Sequence, residues 1–168
     1  MPRNIEIKAR VKDMDKLRGR VEQMASSGPF YLVQEDTFFH IFTGRLKLRT
    51  LESKNGELIY YRRPDTFRPA RSRYIRTPVV LPQLVKWVCS AILGVKGVVR
   101  KQRALYLVGN TRVHLDQVEG LGDFMELEVP TPDEESAKGA ETVATEMMEA
   151  LSISAGDLIA GAYVDLAS

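Results

Sequence analysis

The chain has 168 residues, which fits one domain with a substantial buried core and an embedded helical hairpin at most. Its 24 Lys and Arg are balanced by 22 Asp and Glu, a formal net charge of +2, which argues against a generic nucleic-acid binder or a protein held to lipid by bulk charge. The one cysteine, Cys89, excludes an internal disulfide and a Cys-based metal site, and in the run LVKWVCSAIL it is expected to be a buried core thiol.

No window approaches the ~20 apolar residues of a membrane-spanning helix, and no apolar leader opens the chain. A soluble cytoplasmic protein folded as a single domain over 1–168 is the expectation, with neither nucleic acid nor membrane as partner. In chain order, RNIEIKARV at the N-terminus alternates polar and apolar residues as a strand does. DMDKLRGRVEQMASSG follows as an amphipathic helix, with Asp13 as N-cap, Met14, Leu17, Val21 and Met24 on one side, and Gly28 as the stop. FYLVQEDTFFHIF, GRLKLRTLES and NGELIYYRR read as three strands, the last two joined by a turn at Lys54-Asn55-Gly56. RRPDTFRPARSRYIR, with two prolines and dense positive charge, reads as an exposed basic loop over 62–76.

LPQLVKWVCSAILG is a second helix, with Leu84, Val88, Ile92 and Leu93 on its apolar side and Trp87 expected in the core. GVVRKQRALYLVG and TRVHLDQVEG form a hairpin about Gly109-Asn110, and DFMELEV is a further strand. A third helix runs to about Leu151, with Met147 and Met148 in the core, and a short helix closes the chain. Helices interrupt the strand series instead of alternating with it, so the fold class is α+β with a mostly antiparallel sheet.

The strands share a charge pattern at i and i+2. Lys47 pairs with Arg49, Tyr60 with Arg62, Lys101 with Arg103, Arg112 with His114 and Asp116, Glu126 with Glu128, and Glu6 with Lys8. A solvated sheet face explains any one pair. Segregation by sign across the strands points instead to a closed or nearly closed barrel, whose inner face is a polar cavity and whose apolar side chains point outward under the helices. A cavity with a cationic and an anionic zone suits a substrate with several phosphates, gripped by Lys and Arg, beside carboxylates that hold a divalent metal.

NIEIK resembles the ExExK signature of the CYTH superfamily, the triphosphate tunnel metalloenzymes, which include class IV adenylyl cyclases and thiamine triphosphatases. QEDTFF, LKLR, VRKQRALYLVG, HLDQVEGLGDFMELE and AYVDLA continue the resemblance in order over nearly the whole chain. The resemblance implies an eight-stranded antiparallel tunnel in which Glu6, Glu126 and Glu128, with Asp116, hold Mg²⁺ or Mn²⁺. It implies that Lys8, Lys47, Arg49, Arg62, Lys101 and Arg103 contact a triphosphate, to which charge parity adds Arg112. Glu6, Lys8 and Glu128 are expected to carry catalysis.

The chain departs from the family pattern in two places. Asn4 replaces the first acid of the signature, and an amide oxygen is a weaker Mg²⁺ ligand than a carboxylate. Arg73 and Arg76 stand where relatives carry a Glu-containing strand, widening the cationic zone or lying in a solvated loop. His114 reads as a hydrogen-bonded bystander more readily than a proton-transfer group, and Tyr163 as a residue closing one end of the tunnel or packing in the core. The expected activity is metal-dependent hydrolysis of ATP, thiamine triphosphate or tripolyphosphate by a monomer or homodimer. The alternatives are cyclisation of ATP to cyclic AMP and pyrophosphate, and polyphosphate binding without turnover.

Overall fold

The computed structural model describes residues 1–167. Eight strands, β1 (Arg3–Arg10), β2 (Ser27–Phe39), β3 (Arg45–Leu51), β4 (Gly56–Arg62), β5 (Ala70–Val79), β6 (Val95–Val108), β7 (Thr111–Val118) and β8 (Gly122–Pro130), close into an antiparallel barrel. The order around the barrel is β1-β5-β4-β3-β2-β6-β7-β8. Among the described residues are four α-helices: α1 (Met14–Met24) and α2 (Pro82–Leu93) lie in connections between strands, and α3 (Ala137–Ala150) and α4 (Tyr163–Leu166) follow β8. None of the described helices is long and apolar enough to cross a membrane.

Alternation along each strand divides the barrel into two solvents. On β1, Ile5, Ile7 and Ala9 point outward and are buried, while Asn4, Glu6 and Lys8 point inward. Ile7 and Ala9 join Leu115, Met125 and Leu127 of the barrel with Met14, Leu17 and Val21 of α1 and Met147 of α3 in the main core. Ile5 and Val129 meet Ala140 and Ala144 of α3. Each large side chain so buried contributes ~2 kcal/mol, and this outer core leaves the inner face free for charge. Asp13 caps α1 by accepting the Lys16 amide at 3.1 Å. The helix stops at Met24, short of Gly28, because β2 begins at Ser27 and the chain must turn before it.

Two readings from sequence are corrected here. The basic stretch is a loop only over 63–69; Ala70–Val79 is β5, paired with β1 and β4, and without it the barrel would not close. Two prolines and many arginines masked a strand whose outer face is solvated. The second correction concerns α2, whose Leu84, Trp87, Val88 and Ile92 face away from the barrel while Cys89 is half-buried. A short helix laid on the outside of β2 and β3 can cover only one of its faces, and this one is apolar on both.

The chain ends by crossing β1. Leu158 bridges Ala9, the Ile159 amide donates to the Lys8 carbonyl at 3.0 Å, and Ile159, Ala162, Tyr163 and Val164 pack with Phe38, Val99 and Phe124. Gly97 allows this approach, since a Cβ there would stand 2.6 Å from the Val164 side chain. Gly161, Ala162 and Tyr163 of this segment line the barrel's cavity.

Candidate functional site

The interior of the barrel holds a cavity of about 100 Å³ that opens to solvent. Cross-strand register decides which charges meet inside it. Across β1 and β8, Glu6 faces Glu128 and Lys8 faces Glu126; across β7 and β8, Arg112 faces Glu128 and His114 faces Glu126. The acids of β1 and β8 therefore converge on one patch of wall, with Arg112 and His114 of β7 beside them. Lys8 Nζ lies 3.3 Å from Glu126 Oε1, Arg103 reaches Glu126 Oε2 at 3.2 Å, and Arg112 Nε donates to Glu128 Oε2 at 2.8 Å.

Burial opposes ionisation of all three glutamates, but their neighbours divide them. Lys8 and Arg103 outweigh burial at Glu126 and hold its carboxyl well below the usual range; His114 and Arg112 lower Glu128. Glu6 has less help: burial and the nearby Glu128 charge raise it to about 7, with Arg63, 3.8 Å away, opposing. Donor atoms of His114, Glu126 and Glu128 lie within 4.8 Å of one another. His114 Nδ1 is buried without a hydrogen-bond partner, 3.5 Å from Glu126 and 3.9 Å from Glu128. An orphaned nitrogen among carboxylate oxygens fits a divalent cation of the Mg²⁺ or Mn²⁺ kind, with the imidazole favouring the latter.

The opposite wall is cationic. Arg49 makes a two-pronged contact with Asp36 at 2.8 and 2.9 Å, Lys47 donates to it at 3.0 Å, and Lys101 Nζ lies 3.5 Å away. Burial works against the Asp36 charge, but Arg49, Lys47 and Lys101 together hold it well below the carboxylate range. The cations respond in kind: burial and adjacent arginines bring Lys47 to about 8 and Lys101 to about 7. Arg103 is held by a second buried acid, Asp116, through two bonds of 2.7 Å, and Tyr163 donates its hydroxyl to Asp116 at 2.8 Å. Phe38, Ile59, Tyr61 and Tyr74 add an apolar side to the cavity.

Among the residues expected from sequence, the cavity is lined by Glu6, Lys8, Lys47, Arg49, Lys101, Arg103, Arg112, Glu126 and Glu128. Arg62 is misplaced: it is exposed, and Arg63 lines the cavity instead. The register pairs Arg45 with Tyr61 and Lys47 with Ile59, so inward Lys47 forces Ile59, Tyr61 and Arg63 inward and Arg62 out. Nothing within ELIYYRR distinguishes the two faces. Asp116 has both oxygens taken by Arg103 and Tyr163 and stands outside the His114–Glu126–Glu128 group. Asn4 is buried between Arg112, which donates to its Oδ1 at 3.2 Å, and Glu6, to which its Nδ2 donates at 3.4 Å. A carboxylate could accept from Arg112 but could not donate to Glu6.

Arg76 lines the cavity and is bonded to Glu57 at 2.7 Å, whereas Arg73 is exposed beside Glu134. Sequence reading passed over Asp36, Arg45, Arg63, Ser72 and Tyr74. Arg45 shares parity with Lys47 and Arg49, a signal that was legible. Asp36 sits beside Glu35 in QED, and only the pairing of Asp36 with Arg49 tells the inward acid from the outward one.

The CYTH domain family matches residues 2–163. A Methanocaldococcus jannaschii protein provisionally named an adenylate cyclase is 28% identical over 174 residues, which cover 96% of this chain and 97% of its own. Among solved structures, a protein from Pyrococcus horikoshii superimposes with a TM-score of 0.83 at 24% identity, over 97% of this chain and 98% of the other. A Hippeastrum protein, provisionally an adenylyl cyclase and described by a dominant triphosphatase activity, superimposes with a TM-score of 0.63 at 17% identity, covering 91% and 89% of the two chains. A family match that begins before β1 and ends at Tyr163, over the eight strands that build the two-walled cavity, makes this chain a member of the CYTH domain family.

Proposed function

We propose that the protein binds a small-molecule triphosphate in the barrel and hydrolyses it with the help of Mg²⁺ or Mn²⁺. The observation that carries this reading is the pairing of two walls in one cavity: Lys47, Arg49, Lys101 and Arg103 on one side, and Glu6, Glu126 and Glu128 on the other. The cations are matched to phosphate oxygens, and burial strengthens each contact by excluding water. Glu126 and Glu128, with His114 Nδ1 in reach, would hold the metal, which supplies positive charge to the phosphate oxygens when bound, and Glu6 stands beside that group, outside it.

The remaining work falls to the chain. Lys8 lies between the two zones, 3.3 Å from Glu126, where it can follow the transferring phosphoryl group. Asp36 and Asp116 orient the arginines before substrate arrives, so little reorganisation is left to the reaction. Glu6, raised to about 7, is the carboxylate suited to take a proton from an attacking water. The triphosphatase activity described for the Hippeastrum neighbour supports hydrolysis in a barrel of this kind.

A second reading, cyclisation of ATP, is favoured by the apolar side of the cavity, where Phe38, Tyr61 and Tyr74 offer flat surfaces to a purine. The name carried by the Methanocaldococcus relative points the same way. Phosphorus NMR of purified protein with Mg²⁺ or Mn²⁺ separates them. Orthophosphate from tripolyphosphate, thiamine triphosphate or ATP is the expected result. Pyrophosphate with cyclic AMP from ATP would establish cyclisation, and thermal stabilisation by tripolyphosphate without any product would leave a binding protein.

A further inference from the structure

The side of α2 that faces away from the barrel is built as an interface. Leu84, Trp87, Val88, Ala91 and Ile92 recur at i, i+3, i+4, i+7 and i+8, one continuous stripe of a helix. Leu84 is 54% exposed, Trp87 70%, Val88 39% and Ile92 75%. Val80 and Leu81 extend the stripe before the helix and Val95 after it. The other face, with Val85, Cys89 and Leu93, is the half-buried one that rests on the barrel.

Charge is missing from the whole segment 80–95 except at Lys86, and that lysine turns inward to Glu35 at 3.1 Å. Arg100 binds the same carboxylate at 2.9 Å, so these charges bordering the stripe already satisfy one another. Among the described residues, Lys54 beside Leu81 and Leu84 is the remaining charge at the border, at one end of the stripe and off the helix itself. The exposed fractions of 80–95 amount to roughly 800 Å² of mostly apolar surface, which is above what monomers usually leave open and matches one partner's share of a standard interface.

We infer that the stripe is the interface of a homodimer, with α2 of one copy packed on α2 of a second about a two-fold axis. Two-fold pairing sets an uncharged stripe against its own copy, the one partner sure to have the same length and neutrality. A lipid surface is a poorer match, since a helix lying in a membrane interface carries Lys and Arg on its polar side, and the single lysine of α2 is held by Glu35. The inference does not rest on the reaction proposed for the cavity.

Size-exclusion chromatography with light scattering, from low to high micromolar protein, tests it. The full chain should run at twice its 18.9 kDa mass. Trp87→Glu with Ile92→Glu should raise the dimer dissociation constant by at least ~30-fold, the effect of losing an interfacial hot spot. Both residues are exposed, so circular dichroism and the thermal shift with tripolyphosphate should be retained. An 18.9 kDa species at every concentration, or a dimer that survives the double substitution, overturns the inference. So would a monomer in solution that floats with phosphatidylcholine–phosphatidylserine vesicles and loses that binding in the variant.

Discussion

Replacing Asp36 with asparagine tests whether the cationic wall is held together by its own counter-ion. Asp36 is 1% exposed and is touched by Arg49, Lys47 and Lys101, so the substitution leaves three buried cations facing a neutral amide. Breaking a buried pair by removing one partner costs ~3–5 kcal/mol. Lys47 and Lys101, already brought to about 8 and about 7, can shed protons and relieve part of that cost, which places the expected loss near the lower end. For a chain of this size, a loss of ~3 kcal/mol lowers Tm by roughly 6–12 °C.

The pH dependence has a definite sign. The folded pKa of Asp36 is depressed, so its stabilisation is complete above the unfolded value and is lost as pH falls through the folded one. Wild type and Asp36→Asn should therefore differ most at neutral pH, begin to approach each other below about pH 4, and meet only well below that. Tripolyphosphate brings the missing negative charge, so it should raise the Tm of Asp36→Asn by more than that of wild type. Differential scanning fluorimetry across pH, with and without tripolyphosphate, reads all three. A Tm within ~2 °C of wild type at pH 7 would refute the reasoning, since it would mean that the buried pairs carry less than ~1 kcal/mol.

Glu128→Gln should abolish turnover and remove thermal stabilisation by Mn²⁺, while metal-free tripolyphosphate still raises Tm; retained Mn²⁺ stabilisation would take Glu128 out of the metal group. Arg63→Ala should weaken tripolyphosphate binding by ~10-fold, a typical loss for one charge-assisted contact, whereas Arg62→Ala should leave it unchanged in a calorimetric titration. The reverse result would mean that the β3–β4 register is wrong. Tyr163→Phe removes the hydroxyl that donates to Asp116 and should cost ~1–2 kcal/mol in denaturant unfolding, with KM raised more than kcat lowered. An unchanged midpoint and KM would leave Tyr163 as packing alone.

Most of the inner wall is legible in the sequence because a strand has a period of two, and acids or bases at that period declare a shared face. Glu6 with Lys8, Lys47 with Arg49, Lys101 with Arg103 and Glu126 with Glu128 were each found in this way, and all line the cavity. Parity is silent where both faces of a strand carry the same kinds of residue. ELIYYRR has apolar residues on both parities and an arginine on each, so Arg62 was chosen over Arg63. β5 resembles a loop because Pro64 and Pro69 stand just before it and Arg71 and Arg73 lie on its solvated side. The apolar side of α2 misled for a related reason: hydrophobicity tells that a face wants cover, not which surface supplies it.

Periodicity and charge parity in the sequence determined that this chain forms a barrel with apolar residues outside and two charged zones inside, because both are properties of neighbours along one strand. The tertiary structure decided which charges meet. Glu6 faces Glu128, Asp36 holds Arg49, and Tyr163 arrives from the far end of the chain to bind Asp116, because register between strands and the path of the tail are set by long-range pairing that no single strand encodes.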